Sequence, residues 1–276
     1  EADIIWPDGE WDYTGDEHGS AGFLAWLYND SKVKDTVVVN DRWGKDTRGR
    51  HGGHYTTEYG HGASAIKDTG VMHPWEECRG IGGSFGYNQF ETTEHYMSRT
   101  RCIRTLVSTV SRGGNLLLNV GPDADGRIPA IMEDRLLAIG EWLKVNGDAI
   151  YATTRANIKS NDKDVYLTAK GDKLYVIDFK RNASVIKLEG LDDVLSVELL
   201  GSKNTVVKYS TKGGNLAITR AVLSSADAPC DHAWVYVVNR GKKNPARYPA
   251  NATLKSGDGP LVQAHRGGKN EFDDNA

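Results

Sequence analysis

The fold turns on Ile4-Ile5-Trp6-Pro7-Asp8-Gly9-Glu10-Trp11. A short apolar run that closes on an acid and a glycine reads as a buried parallel strand ending where Asp8 emerges. Pro7 cannot donate to a ladder, and Gly9 lets the chain turn. In a β/α barrel the C-terminal strand ends face the mouth, where the chemistry sits. Asp8 stands between Trp6 and Trp11, and a carboxylate beside flat aromatic surface suits the apolar face of a sugar ring. A plain Asp-Gly turn is the competing reading. The residues downstream decide against it.

Outward from that strand, Phe23, Leu24, Trp26 and Leu27 recur at helical spacing over residues 21–28, and Val37-Val38-Val39 reads as a second apolar strand ending in Asn40-Asp41-Arg42-Trp43-Gly44. Strand, helix, strand is a βαβ unit. From Lys45 to Val71 no period is sustained, so a long functional loop is expected, holding Tyr55-Thr56-Thr57-Glu58-Tyr59. Residues 74–78 read as a strand leading into the glycine-rich Gly80-Ile81-Gly82-Gly83-Ser84-Phe85-Gly86. The spacing predicts a helix over 94–110, a buried strand over 116–122, an acidic turn at 123–126, and a helix over 131–145 with Leu136, Leu137, Ile139 and Trp142 on its packed face, stopped near Asn146-Gly147. Beyond residue 155 the grammar changes to short alternating segments: 164–168, 174–179, 185–188, 197–200, 206–209, 216–219 and 233–238. Seven such strands predict an antiparallel β-sandwich. The expected fold class is therefore α/β plus all-β: the second half of a (β/α)8-like barrel over 1–154, a sandwich over 155–240, and a polar tail or linker over 241–276.

Composition narrows the function. The 276 residues carry 34 Lys and Arg against 37 Asp and Glu, a formal net charge of -3. No basic excess exists to displace counterions from phosphates, so a nucleic-acid partner is not expected. No apolar run is long enough to span a bilayer, so no membrane partner is expected either, and the acidic start lacks the basic-then-apolar layout of a signal peptide. Cys78, Cys102 and Cys230 are too few and scattered for a disulfide framework and are expected to be reduced and buried.

Several clusters invite sharper readings that the spacing does not support. His51, His54, His61 and His73 suggest a metal site, but no carboxylate or cysteine stands at ligand spacing, so solvated loop histidines are expected. The glycine-rich loop lacks the Lys-Ser/Thr pair and helix start of a phosphate loop. Asp123 and Asp125 lack the other ligands of a calcium loop. Asp41 is read as a structural partner of Arg42, and Trp142 as core.

Taken in order, Trp6-Pro7-Asp8-Gly9-Glu10-Trp11, Val39-Asn40-Asp41-Arg42-Trp43-Gly44, Pro74-Trp75-Glu76, Ser84-Phe85-Gly86-Tyr87-Asn88, Gly113-Gly114-Asn115-Leu116-Leu117-Leu118-Asn119-Val120-Gly121-Pro122 and Asn146-Gly147-Asp148-Ala149-Ile150-Tyr151 resemble the α-L-fucosidases of glycoside hydrolase family 29. The resemblance implies a retaining exo-hydrolase that removes terminal α-L-fucose from fucosylated oligo- or polysaccharides and uses no metal or cofactor. It makes Asp8 the nucleophile and aligns Trp6, Arg42 and Phe85 with positions lining the fucose pocket. Trp43 and Tyr55 are added as substrate-binding candidates. For the acid/base, Glu58 is favoured over Glu76, because a group that first protonates the leaving oxygen gains from a mobile, partly apolar loop. Glu77, pointing opposite to Glu76 on a strand, is the weaker neighbour.

Family members carry about half a barrel before the nucleophile strand, so the missing N-terminal half is expected from another chain, a cleaved portion or an unrecorded one. The resemblance also implies a secreted, periplasmic or lysosomal-type compartment. Two rival functions stand beside the hydrolase: a non-catalytic fucose- or glycan-binding module, and a related retaining glycosidase acting on galactose.

Overall fold

The computed structural model describes residues 2–60, 73–180 and 182–241. Its contacts divide these into two compact units, one of residues 2–60, 73–79 and 114–117, the other of residues 80–113 and 118–241.

In the first unit β1 (Ile4–Ile5) pairs in parallel with β2 (Val38–Val39), Ile4 opposite Val38 and Ile5 opposite Val39. The crossover is α1 (Ser20–Asn29), whose Leu24, Leu27 and Tyr28 pack with Val37, Val39 and Trp43. β3 (Tyr55–Glu58) pairs in parallel with β4 (Trp75–Gly80), Tyr55 opposite Trp75 and Glu58 opposite Cys78, and β5 (Asn115–Asn119) lies beside β4. The amide of His54 donates to the Val39 carbonyl at 3.0 Å, which passes the first ladder on to the second. Strands adjacent in sequence are thus parallel where they pair, with α1 crossing between β1 and β2, as in a stretch of β/α barrel. No closed barrel is seen among the described residues.

The second unit begins with α2 (Arg99–Ser111) and α3 (Ala130–Asn146). Behind them come β6 (Thr154–Arg155), β7 (Val165–Lys170), β8 (Lys173–Asp178), β9 (Val185–Glu189), β10 (Val194–Leu199), β11 (Tyr209–Lys212), β12 (Asn215–Thr219) and β13 (Trp234–Arg240). They form an antiparallel five-stranded sheet in the order β10-β13-β8-β7-β6 and a three-stranded one in the order β11-β12-β9. Val176, Leu188, Leu216, Leu174 and Tyr236 meet in the layer between them. On the other face Ile177 and Val235 pack with Ile103, Val107 and Trp142 of the helices. A sheet of alternating residues can bury both faces only if a layer covers each, and here a second sheet covers one and helices the other.

Several sequence expectations shift. β1 is two residues long and Ile4 is 47% exposed, and Leu117 of β5 is 42% exposed, so neither is the fully buried strand its apolar run suggests. The loop expected over 45–71 contains β3, whose threonines are buried and hydrogen-bonded, so the strand carries no apolar period. α2 starts at Arg99 rather than Glu94, because the Ser98 hydroxyl accepts from the Arg101 amide and caps it there. Leu137 of α3 is exposed, and Gly147 keeps a right-handed φ of -56°, so the helix runs on into a 3-10 turn at Gly147–Ala149 instead of ending on a glycine cap. β11 begins at Tyr209, not Val206. The left-handed Gly213-Gly214 turn, with φ of 57° and 76°, sets Lys212 opposite Asn215 and thereby the register.

The three cysteines form no disulfide. Among the described residues no helix is long and apolar enough to cross a membrane. The polar tail expected from 241 and the candidate His61 fall, but for Gly241, outside the described residues.

Candidate active site

The C-terminal ends of β1, β2 and β3, with the beginning of β4, bring five of the singled-out residues together: Trp6, Asp8, Arg42, Glu58 and Glu76, the last not at the strand end expected for it. The end of β2 is shaped by Asn40, whose Oδ1 accepts from the Arg42 amide at 3.1 Å while its Nδ2 donates to the Pro7 carbonyl at 2.9 Å. This ties the exit of β2 to the exit of β1. Gly9 adds a second tie, its amide donating to the Arg42 carbonyl at 3.2 Å. Asp8 and Arg42 are therefore held side by side by backbone.

Arg42 is 1% exposed and acts as the hub. Its Nη1 donates to Asp8 Oδ1 at 3.0 Å and to Glu58 Oε2 at 2.7 Å. The two carboxylate oxygens are therefore no further apart than 3.0 and 2.7 Å laid end to end, about 5.7 Å. Arg42 Nε donates to Thr56 Oγ1 at 2.9 Å, and its guanidinium carbon lies 4.6 Å from the centre of the Trp6 ring. The Trp6 indole Nε1 donates to Glu76 Oε1 at 2.9 Å. Burial pushes the Glu76 carboxyl above its usual pKa, opposed by the indole bond and by Arg42.

Glu58 stands on a strand, not in the mobile loop expected for it. Its side chain is about one-third exposed and paired with Arg42. Glu77 faces away from this group, accepting from Thr57 Oγ1 and the Gly60 amide. The alternation of β4 explains the difference from Glu76.

Three participants escaped the sequence reading. Thr56 links Arg42 to Asp41, donating to Asp41 Oδ1 at 2.7 Å, so Asp41 supports the arginine through a hydroxyl and not by direct pairing. Asp41 also accepts from the Thr56 and Gly49 amides, and burial raises its pKa against those bonds. Glu10 accepts from Arg48 Nη1 at 2.7 Å and lies 3.9 Å from Arg42 Nη1; burial raises its pKa, with Arg48 and Arg42 opposing. The signal for Glu10 was its place two residues past Asp8. Arg48 and Thr56 gave none.

The remaining candidates make other contacts. Trp43 packs against Phe23 and donates its indole N–H to the Asn40 carbonyl at 2.7 Å. Tyr55 stacks on His73 with ring centres 3.7 Å apart. Phe85 belongs to the second unit, where its carbonyl accepts from Asn119 Nδ2 at 2.6 Å. His54 corrects the expectation of solvated histidines: it is buried, and burial pulls its pKa down to about 4. No cluster that could hold a metal ion occurs among the described residues.

Arg42 is thus buried beneath two carboxylates at the ends of parallel strands. A family model described as Alpha-L-fucosidase matches residues 1–148, more than half of the chain. The chain belongs to the α-L-fucosidase family. It is 39% identical over 241 residues to an alpha-L-fucosidase of Branchiostoma floridae, covering 84% of this chain and 52% of that protein. It is 46% identical over 237 residues to the tissue alpha-L-fucosidase of Bos taurus, covering 84% and 50%. Among solved structures, the Thermotoga maritima alpha-fucosidase in complex with a mechanism-based inhibitor superposes with a TM-score of 0.66 at 33% identity, over 86% of this chain and 52% of that one. This α-L-fucosidase family chain thus spans about half the length of the relatives it matches, and its fold is a partial barrel followed by a β-sandwich.

Proposed function

We propose that this chain supplies the nucleophile-bearing part of a retaining exo-α-L-fucosidase, acting on terminal α-L-fucose of fucosylated glycans once its barrel is complete. The observation that carries the reading is the shared arginine nitrogen: it keeps an Asp8 oxygen and a Glu58 oxygen within about 5.7 Å. Retaining glycosidases hold their two carboxyls roughly 5 to 5.5 Å apart, while inverting ones need room for a water between them.

Asp8 attacks the anomeric carbon as Glu58 gives its proton to the departing glycosidic oxygen, leaving fucose esterified to Asp8. Glu58, now a carboxylate, takes a proton from water. That water attacks the same carbon, Asp8 leaves, and fucose departs with its original configuration. Arg42 donates to the Asp8 carboxyl at 3.0 Å and holds it in place for attack. Trp6 offers an aromatic face beside it. The proposed setting is a secreted, periplasmic or lysosomal-type compartment.

The test is hydrolysis by the assembled enzyme of p-nitrophenyl α-L-fucoside and of the corresponding galactoside, with the product anomer followed by NMR. Release of α-L-fucose with retention is expected, and Asp8→Gly should abolish it, azide restoring part of the turnover as β-fucosyl azide. Binding without release, turnover of the galactoside alone, or a β product overturns the reading.

A further inference from the structure

The double displacement uses two carboxyls, and Glu76, half-buried near the start of β4, is a third in the same group of side chains. Its setting is specific. Glu76 Oε1 holds the Trp6 indole N–H at 2.9 Å, and the face of that indole carries the Arg42 guanidinium at 4.6 Å. Arg42 in turn places Asp8 and Glu58 about a single nitrogen. Glu76 and Thr56 thus grip the arginine from two sides, one through an aromatic plane and one through a hydroxyl. An indole has two rotatable bonds and no other polar atom, so one acceptor at Nε1 fixes its plane.

We propose that Glu76 is a positioning residue: by anchoring Trp6 it sets the surface on which Arg42 rests, and with it the spacing of Asp8 and Glu58. Its Oε1 is committed to the indole N–H. Its raised pKa, caused first by burial, fits this role, since either the carboxyl or the carboxylate can accept from an N–H. The charged groups facing it are Arg42 and Asp41. The inference rests on the roles proposed for Asp8 and Glu58.

The experiment compares Glu76→Gln and Glu76→Leu in the complete enzyme, using an activated aryl α-L-fucoside, a fucosylated oligosaccharide and a fucose-configured iminosugar, with Tm recorded for each. Gln keeps the acceptor oxygen. Its kcat/KM should stay within about threefold of wild type on both substrates, with both limbs of the pH profile retained. Leu leaves the indole N–H unpaired. It should lose about tenfold in kcat/KM on both substrates alike and in iminosugar affinity, the size of one buried unsatisfied donor, and azide should restore nothing. The proposal is overturned if Glu76→Gln loses kcat on the oligosaccharide but not on the aryl fucoside, loses its alkaline limb and recovers with azide, since that is an acid/base. It is equally overturned if Glu76→Leu matches wild type. Failure of the underlying site assignment has a separate signature, turnover persisting in Asp8→Gly.

Discussion

Thr56 shows how one side chain can decide the geometry of a site it never enters. Its hydroxyl accepts from Arg42 Nε and donates to Asp41, and all three groups are buried. Thr56→Val keeps the shape but strips both hydroxyl bonds, leaving the Arg42 Nε–H without its acceptor where water cannot replace it, while Asp41 Oδ1 keeps only the Thr56 amide. The cost should be about 2 to 3 kcal/mol of stability with a parallel fall in kcat, whereas Thr56→Ser should restore most of both; urea melts and steady-state rates separate the outcomes. His54 makes a prediction of a different kind. Burial holds its folded-state pKa near 4, below the 6.5 of the unfolded chain. Between these values the unfolded state binds the extra proton, so the stabilisation is complete above pH 6.5 and is lost as pH falls towards 4. The loss should reach about 3 kcal/mol, and His54→Phe should flatten the slope in denaturation curves taken across that range.

At the scale of elements, the loop after β2 is pressed against the strand end that carries Arg42. Gly52 has φ of 135°, and a Cβ there would stand 2.6 Å from the Asn40 carbonyl oxygen and 2.7 Å from the Asp41 Cα. Both are backbone atoms and cannot swing aside. Gly52→Ala should therefore cost about 2 kcal/mol or more and also lower kcat by displacing Asp41 and Arg42, which calorimetry and kinetics on the same preparation will show. The same region marks where sequence stopped being informative. β2 was legible because three valines can only be a buried strand, and the sandwich strands because their apolar residues alternate. β3 was not, since Tyr55-Thr56-Thr57-Glu58 buries polar groups that are paired across the sheet, and those pairings depend on residues distant in sequence. Asp8 and Arg42 were readable from their places after apolar runs. The Thr56 link, the Glu10–Arg48 pair and the Trp6–Glu76 bond were not, because each joins residues that only the fold brings together.

Over the whole molecule, the sandwich is held by more than its apolar layer. Arg220, 2% exposed, donates through Nε to Asp178 at 2.7 Å and through Nη2 to Asp178 at 3.1 Å and to Asp162 at 2.7 Å. This couples the end of β8 to the residue that follows β12 and to the loop before β7. Burial pushes the Asp178 carboxyl up while the arginine opposes it, which is the balance expected of an ion pair whose desolvation nearly cancels its attraction. Two consequences differ in size. Arg220→Ala strands a buried carboxylate and should cost about 3 to 5 kcal/mol, lowering the melting temperature of the whole protein. Replacing both partners, Arg220→Met with Asp178→Leu, removes the attraction and the desolvation together and should recover most of that loss. If the double variant is no more stable than Arg220→Ala, the pair contributes net energy as well as a fixed register. The comparison is informative because this network lies apart from Asp8, Arg42 and Glu58 in sequence and in compact unit, so a change in melting temperature with unaltered kcat would assign it to the scaffold alone.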